Sequence, residues 1–451
     1  MPLMLKNNHH SGIAAAAALL ILSAEAAAAA EPPPPIAIKD ARVHTGEGAP
    51  LERATVVMRN GLIEAVGPGA AIPAGAWVVE GAGLWVYPGL IDALSTWGIP
   101  PEPAPAPGPV PAPAPTPVGQ PPVSAPPPAQ GPEDRPQTTS WLHAADLVRP
   151  SDARIAAARS GGFTTAVVFP TAGIFAGQGA ALNMAGERAG EMLVAGRTAT
   201  YVSLATRGFT SFPGSLMGAI AYVRQVYIDA DFYQAEKKAY EANPRGRRRP
   251  DYDRALEGVL AAPRVLLPAS RKTEIERMIR FAAELKRPAA LYGGHEAYGA
   301  IEALRAAGLP VLLNLKWPEW NKDADPEVRD SLRTLEFRER APGSAQALAR
   351  AGVRFAFYSG GIDKPAEIRK AVKKAIDAGL STADAIRALT LSAAEIHGFA
   401  DRAGSIEPGK IANLVAADGD LFQEKTKIRY VFVDGVKYEP LEEASGAKEG
   451  Q

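Results

Sequence analysis

The sequence contains no cysteine, which excludes disulfide bonds, thiol nucleophiles and a lipid attached through an N-terminal cysteine. It also has no excess charge, because 49 Lys and Arg residues balance 49 Asp and Glu residues. A neutral chain carries no overall field towards nucleic acid or an anionic membrane, and we expect neither as a partner. Histidine is scarce, with six in the sequence. At 451 residues the chain is long enough to bury a large α/β core and a small accessory domain.

The start of the chain has the pattern of a secretory signal peptide. Lys6 supplies a positive charge, an apolar core follows over residues 12–22, and the alanines at 28–30 offer an Ala-x-Ala cleavage site before Glu31. The apolar run is too short for a stable membrane anchor. We therefore expect an exported protein, periplasmic or secreted. The alternative is an uncleaved N-terminal helix.

Short alternating segments with turn residues between them occur near both ends of the chain. Strands are predicted over 36–43, 55–59, 62–66 and 77–79, and again over 411–416, 428–433 and 436–438. Either set alone is too small to be stable. We therefore expect one sheet assembled from both ends.

Residues 100–136 hold 17 prolines. Proline lacks the backbone N–H and clashes with helical neighbours, so this stretch cannot form a helix or a central strand. We expect an extended, disordered insertion that acts as a spacer. The alternative is a proline-rich ligand for the aromatic groove of a partner.

From Ser151 the chain alternates predicted strands and helices, which is typical of a parallel (β/α) barrel. Six strands are predicted over 164–169, 199–204, 265–267, 289–292, 311–315 and 353–357, in addition to one that begins at Gly89. The eighth is expected between Arg207 and Arg264. The glycine-rich segment 175–180 lacks the Gly-Lys-Ser/Thr of a phosphate-binding loop and is interpreted as a turn.

The segment Pro88-Gly-Leu-Ile-Asp-Ala93 resembles the first barrel strand of the amidohydrolase superfamily, in its imidazolonepropionase-like branch. There the motif continues as His-x-His, and the two histidines bind a catalytic metal. Here Leu94 and Thr96 occupy those positions. Leucine has no lone pair for a metal, and a threonine hydroxyl is a poor ligand beside imidazole.

The resemblance covers nearly the whole chain and implies a (β/α)8 TIM-like barrel with a small composite β-sandwich from both termini. Residues 404–415 resemble the family's return from the barrel into that sandwich. The implied division is a signal peptide (1–30), the N-terminal part of the sandwich (31–85), the barrel (86–400) with the insertion at 100–136, the C-terminal part of the sandwich (401–440) and a tail (441–451).

The resemblance also points to two further substitutions. Pro268 stands where the family's fifth strand ends in a ligand histidine, and Gly360 stands where the last strand carries the catalytic Asp. His295 is the only histidine expected at ligand level, whereas a hydrolytic metal site needs about three protein ligands. We therefore expect no cofactor and no metal at the usual place, with zinc only if other residues rebuild the site.

Four residues follow predicted barrel strands and are the candidates for ligand binding: His295, Lys316, Tyr358 and Ser359. A buried lysine with a lowered pKa could activate a serine or form a Schiff base. The alternative for Lys316 and Tyr358 is that they only line a polar pocket. The sequence assigns no catalytic residue.

Two functional classes stay open, and with them the question whether the protein is an enzyme. A third interpretation, a subunit that contributes only structure to a complex, is compatible with the proline-rich insertion. The resemblance implies a hydrolase acting on carbon–nitrogen, but not peptide, bonds, with cyclic amides as the usual substrates. The substitutions instead favour a catalytically inactive, exported protein that binds a ligand or partner on the same fold. A small-molecule ligand or substrate is expected in either case, and a homo-oligomer is possible.

Overall fold

The described residues of this computed structural model are 33–101, 135–206, 213–320 and 329–441. The predicted signal peptide, most of the proline-rich stretch and nearly all of the tail lie outside these ranges. Along the described ranges, no helix is long and apolar enough to cross a membrane. Arg135, at the end of the predicted insertion, is anchored to the folded part, because its guanidinium bonds to Asp229 at 2.6 Å and to Asp253 at 3.3 Å.

Strands and helices alternate through most of the chain. The strands are β1 (Ile36–Val43), β2 (Leu51–Arg59), β3 (Leu62–Gly67), β4 (Trp77–Glu80), β5 (Trp85–Pro88), β6 (Leu90–Ser95), β7 (Phe163–Val168), β8 (Phe175–Gln178), β9 (Ala180–Asn183), β10 (Leu193–Ala195), β11 (Thr200–Val202), β12 (Val265–Ala269), β13 (Ala289–Gly293), β14 (Val311–Asn314), β15 (Phe355–Tyr358), β16 (Leu414–Ala417), β17 (Ile428–Val433) and β18 (Val436–Tyr438).

The α-helices are α1 (Ala144–Leu147), α2 (Ala153–Ser160), α3 (Leu216–Ala242), α4 (Arg254–Ala261), α5 (Lys272–Leu285), α6 (Ile301–Ala307), α7 (Leu332–Arg340), α8 (Ser344–Arg350), α9 (Pro365–Asp377), α10 (Thr382–Ala388) and α11 (Leu391–His397). Their starts follow local chemistry. The carboxylate of Asp253, for example, accepts the backbone N–H groups of Ala255 and Leu256 and so caps α4.

Strands from both ends of the chain share one eight-stranded sheet, as the sequence predicts. Its order is β18-β17-β16-β5-β1-β2-β3, with β4 also paired to β1. The junction is the antiparallel pair β5–β16, in which Val86 lies opposite Ala416. Ile38, Val56, Leu414 and Phe432 are fully buried in one cluster on this sheet. We call it the terminal sheet, because neither end could bury that cluster alone.

Two further sheets make up the middle of the chain. One has the order β10-β9-β7-β6 and the other β15-β14-β13-β12-β11-β8. Strands β11 to β15 are parallel to one another, as are β6 and β7. By contrast, β8 is antiparallel to β11, and β9 is antiparallel to β7 and to β10. The connecting helices bury one face each, as α5 does with Ile275, Met278, Phe281 and Leu285. This is a mixed α/β architecture in which strand ends gather at one edge.

The expected position of the eighth strand, between Arg207 and Arg264, is wrong for the residues described there. Residues 213–264 contain the helices α3 and α4 and no strand. Two short strands, β8 and β9, lie instead at residues 175–183, where the segment 175–180 was interpreted from sequence as a turn. The glycines of this segment favour a turn when the sequence is considered alone. In the structure, Gly179 joins β8 to β9 at a point where a Cβ would lie 2.1 Å from the Phe169 ring. Only glycine allows the chain to pass that ring so closely.

Side chains from the two middle sheets meet in one cluster between them. Its fully buried members include Ile91, Val167, Leu266, Ala290, Leu312 and Ala356, which come from six different strands. We call this the interior cluster. It supports the residues that follow the strand ends.

Candidate functional site

The first strand ends in residues that offer little to a metal. Leu94 is 8% exposed and belongs to the interior cluster. The Thr96 hydroxyl accepts a hydrogen bond from the Arg154 guanidinium at 3.3 Å. That guanidinium is fixed there, since it also bonds to Asp152 and donates to the carbonyl of Ile99 at 2.7 Å. A positive charge beside Thr96 opposes a divalent cation at this strand end.

The other two strand ends are filled by protein atoms. Pro268 lies in β12 opposite Tyr292 of β13. Gly360 has φ +63°, and a Cβ on it would lie 1.9 Å from Oδ1 of Asn314. The position therefore accepts no side chain while Asn314 keeps its place. Among the described ranges, no three His, Asp or Glu side chains are arranged to hold a metal ion. The four compared positions, Leu94, Thr96, Pro268 and Gly360, supply no imidazole and no carboxylate.

Asp92, which the motif retains, joins the first strand to the last. Its Oδ1 accepts the backbone N–H of Ser359 at 3.0 Å and that of Leu94 at 3.4 Å. Burial raises the pKa of this carboxyl to about 6, and the hydrogen bonds from Ser359, Leu94 and Ser95 only partly oppose the shift. Its Oδ2 is buried without a hydrogen-bond partner. The geometry is that of a structural tie between β6 and β15.

Three tyrosines from alternate strands gather at the strand ends. Tyr201 of β11 stacks on Tyr292 of β13 with ring centroids 5.1 Å apart. The Tyr292 hydroxyl donates to the carbonyl of Val202 at 3.0 Å. Tyr358 of β15 is 5% exposed and shares a hydrogen bond with Asn314. We call these four residues (Tyr201, Tyr292, Asn314 and Tyr358) the tyrosine cluster.

Burial raises the pKa of all three tyrosines in that cluster. Their hydroxyls therefore stay protonated at physiological pH, and each is both a donor and an acceptor. Hydroxyl and amide groups of this kind suit a neutral polar ligand better than a cation. The tyrosine cluster is thus a polar patch inside an apolar wall.

His295 lies apart from the tyrosine cluster, beyond the end of β13. Its Nδ1 is 2.8 Å from the hydroxyl of Ser270, which follows β12. The ring packs edge-on against Trp317 and Phe337, with centroids 5.9 Å and 6.0 Å away. Burial lowers the pKa of His295, and the positive charge of Arg271 lowers it further, although nearby backbone carbonyls oppose the shift. The imidazole is therefore neutral at pH 7.

The four residues predicted to bind ligand do not form one group. Tyr358 and Ser359 lie beside Asp92 and the tyrosine cluster, whereas His295 lies with Ser270. Lys316 is exposed, and its backbone N–H bonds to Asn314 Oδ1 at 2.7 Å. It is not the buried lysine that a lowered pKa or Schiff-base chemistry would require.

Sequence reasoning missed Tyr201, Tyr292, Asn314 and Ser270. A signal for three of them exists, since an aromatic or amide residue recurs at the C-terminal ends of β11, β13 and β14. Ser270 carries no signal of its own. It becomes visible only through the register that pairs Ala269 with Gly293.

One further histidine supports the first strand from behind. His397, at the end of α11, is 3% exposed, and its Nε2 donates to the carbonyl of Ala93 at 2.8 Å. Burial lowers its pKa to about 3, and the positive charge of Arg264 contributes in the same direction. It is a neutral structural histidine.

Known proteins resemble this chain in part of its sequence and in its fold. A sequence model of the amidohydrolase family matches residues 333–438. No curated protein matches the sequence. An amidohydrolase from Thermotoga maritima MSB8 is similar in structure, with a TM-score of 0.70 and 24% identity over 90% of this chain and 100% of that one.

Two other solved structures are more distant. A prolidase complexed with N-methylphosphonate-L-proline has a TM-score of 0.52 and 16% identity, over 90% of this chain and 99% of that one. Another amidohydrolase has a TM-score of 0.53 and 16% identity, over 91% and 100%. At such identities the likeness concerns the fold. The resemblance to the amidohydrolase superfamily that the motif at residues 88–93 predicts is confirmed by the family match near the C-terminus and by this shared fold.

Proposed function

We propose that this protein binds a small, neutral, amide-bearing molecule at the strand ends and carries out no metal-dependent hydrolysis. The observation that carries the proposal is the position of Asn314. Its side chain fills the space of any side chain at Gly360, where the family resemblance implies the catalytic Asp. Pro268, Leu94 and the Thr96–Arg154 pair leave the remaining ligand positions without a carboxylate or an imidazole.

The polar groups present at the strand ends support this class of ligand. The tyrosine cluster offers neutral hydroxyl and amide groups, which pair well with the C=O and N–H of an amide. Ser359 and Tyr358 contribute to this patch, whereas His295 lies apart from it, beside Ser270. The similar solved structures are amidohydrolases and a prolidase with a proline-derived phosphonate, which favours amide-bearing ligands over sugars or nucleotides.

The second candidate is a hydrolase of non-peptide carbon–nitrogen bonds, which the family match at residues 333–438 favours. It would need a metal site rebuilt by other residues. Elemental analysis of purified protein, together with a panel of cyclic amides assayed for binding and turnover, separates the two candidates. We expect binding without turnover and without stoichiometric metal. Turnover that a chelator abolishes would support the hydrolase instead.

Tyr358→Phe tests the place of binding. It removes one hydroxyl from the tyrosine cluster, so we expect the affinity for the best cyclic amide to fall about tenfold. Tyr227→Phe is the matched control, because Tyr227 is also a buried tyrosine but lies on α3, away from the strand ends. Equal losses in both variants would point to a general loss of stability.

We also infer that the two middle sheets are the two parts of one (β/α)8 barrel. Two junctions support it: Asp92 ties β6 to β15, and Gly179 joins β8 to β9. The interior cluster, built from six strands, would fill the barrel. For the terminal sheet we infer a small sandwich, because β1 changes its partner from β4 to β5 near the bulge at Asp40, where φ is +56°.

The location we propose is the periplasm or the exterior of the cell, on the basis of the signal pattern at residues 1–30. N-terminal sequencing of protein from a cell-envelope fraction should read from near Glu31. An intact Met1 on protein from the cytoplasm would contradict export.

A further inference from the structure

The end of β13 folds the chain back towards β12, and two glycines make this possible. Gly293 has φ +118°, and a Cβ on it would lie 2.9 Å from the carbonyl oxygen of Ala269. Gly294 follows with φ +70°. The backbone N–H groups of Gly294 and Glu296 then donate to the carbonyls of Ala269 and Ser270, each at 2.8 Å. The fold thus places His295 beside Ser270 through backbone contacts alone.

The imidazole is fixed from several sides. Ser344 donates to the backbone carbonyl of His295 at 2.8 Å. Trp317 and Phe337 hold the ring edge-on. Nε2 is buried without a hydrogen-bond partner, and backbone groups of Lys316 and Asn314 oppose the lowering of the ring's pKa by burial. We assign the proton to Nε2, which leaves a lone pair on Nδ1 facing the Ser270 hydroxyl.

Nδ1 therefore accepts the hydrogen of the Ser270 hydroxyl across the 2.8 Å contact. This is the geometry in which a neutral imidazole acts as a base on a serine. Arg271, the next residue, lies over the Phe337 ring at 4.4 Å and pairs with Glu296 at 3.3 Å. Its positive charge lowers the pKa of His295 and would favour a negative oxygen forming nearby.

We propose that Ser270 and His295 form a nucleophile–base pair that reacts with small activated acyl or phosphonyl compounds without a metal. Ser270 Oγ bonds to the carbonyl carbon of an activated ester, and its proton passes to Nδ1 of His295. The bond from that carbon to the leaving alkoxide breaks, and the alkoxide takes the proton. Water then gives its proton to Nδ1, attacks the acyl carbon and displaces Ser270 Oγ, which regains the proton.

A fluorophosphonate probe tests this pair in the full-length protein. Ser270 Oγ attacks phosphorus, the P–F bond breaks, fluoride leaves and the serine proton passes to His295. We expect one adduct per chain by intact mass, located on Ser270 by peptide mapping. Ser270→Ala should abolish it. His295→Gln should slow labelling at least a hundredfold, within the usual range for a general base. Ser203 is the matched control, because it also directly follows a strand, β11, as Ser270 follows β12. The Ser203→Ala variant should label at the wild-type rate.

Two results would overturn the pair. One is no adduct on the folded wild-type protein under conditions that label a known serine hydrolase. The other is an adduct that maps elsewhere or persists in Ser270→Ala. Mapping on the wild type decides the question even where a variant fails to fold. Amide binding is measured separately, so loss of labelling with binding intact rejects the pair and leaves the proposed ligand site in place.

Discussion

Asn314 occupies the space that a side chain at residue 360 would need. A Cβ on Gly360 would lie 1.9 Å from Asn314 Oδ1, and the same amide oxygen accepts the backbone N–H of Lys316 at 2.7 Å. The glycine at residue 360, where the family resemblance implies an acidic residue, is therefore sterically coupled to the neighbouring strand β14. Restoring the acid alone would break that contact.

The neighbouring glycines allow a matched test of this coupling. Gly360 and Gly361 both have positive φ, +63° and +85°, but a Cβ on Gly361 meets nothing within 4 Å. Gly361→Ala should lower the free energy of unfolding by about 1 kcal/mol through backbone strain alone. Gly360→Ala should cost about 3 kcal/mol, because the clash with Asn314 adds to the strain. Urea unfolding measures both.

Asn314→Ala provides the control. In that background the cost of Gly360→Ala should approach that of Gly361→Ala. If the two glycine variants lose equal stability with Asn314 present, the steric coupling is absent.

Reinstating the histidines of the first strand should not restore a metal site. In Leu94→His/Thr96→His we expect well under one zinc per chain by elemental analysis, because Pro268 and Gly360 still supply no ligand and Arg154 adds a positive charge. The control is Leu94→Gln/Thr96→Gln, which adds polar side chains without imidazoles. His295→Ala should leave the metal content of the wild type unchanged. Stoichiometric zinc in the wild type, lost in His295→Ala, would show a rebuilt site.

His397 should make the fold sensitive to acid. Its folded pKa is about 3, whereas an unfolded histidine has a pKa of about 6.5. Between these values the unfolded chain binds a proton that the native state refuses, so stability is complete above pH 6.5 and falls as the pH drops towards 3. The expected loss from this residue is about 2 kcal/mol between pH 6.5 and 4.5.

Asp92 acts in the opposite direction over part of this range. Its folded pKa is raised to about 6, so its protonation favours the native state as the pH falls from 6 towards 4. The effect of His397 is therefore read as the difference between wild type and His397→Gln, in which the amide still donates to Ala93. Parallel pH–stability curves for the two proteins would contradict the assignment.

A chain truncated after Asp401 should be insoluble or easily proteolysed. It loses β16 to β18, which exposes the β5 edge and removes Leu414 and Phe432 from the buried face of the terminal sheet. The control ends at Leu441 and keeps every strand. Limited proteolysis and gel filtration compare the two, and a stable, monomeric truncation would mean that the sheet does not need its C-terminal strands.

The sequence predicts most elements because local chemistry specifies them. Strands β1, β17 and β18 have the predicted bounds of 36–43, 428–433 and 436–438, because alternating segments and turn residues mark them. Strand β8–β9 was not predictable in this way. Gly179 between the two strands serves a close passage against Phe169, and a tertiary contact of this kind leaves no periodic pattern.

The candidate site also contains residues that the local sequence identifies and residues that only tertiary contacts identify. The first-strand motif identifies Leu94 and Thr96 as substitutions, because neighbours in sequence fix their positions. The partners of His295 and Tyr358 come from other strands, so Ser270 and Tyr201 are found only through strand register and ring packing.

The pairing of β5 with β16 also sets an order of events during synthesis. Val86 finds its partner Ala416 only after the whole region between them has left the ribosome. Until then the apolar face with Ile38 and Val56 has no cover and the β5 edge has no neighbour. Closing so long a loop is slow, and the waiting strands are open to aggregation. The N-terminal strands, although made first, are therefore among the last to reach their native environment.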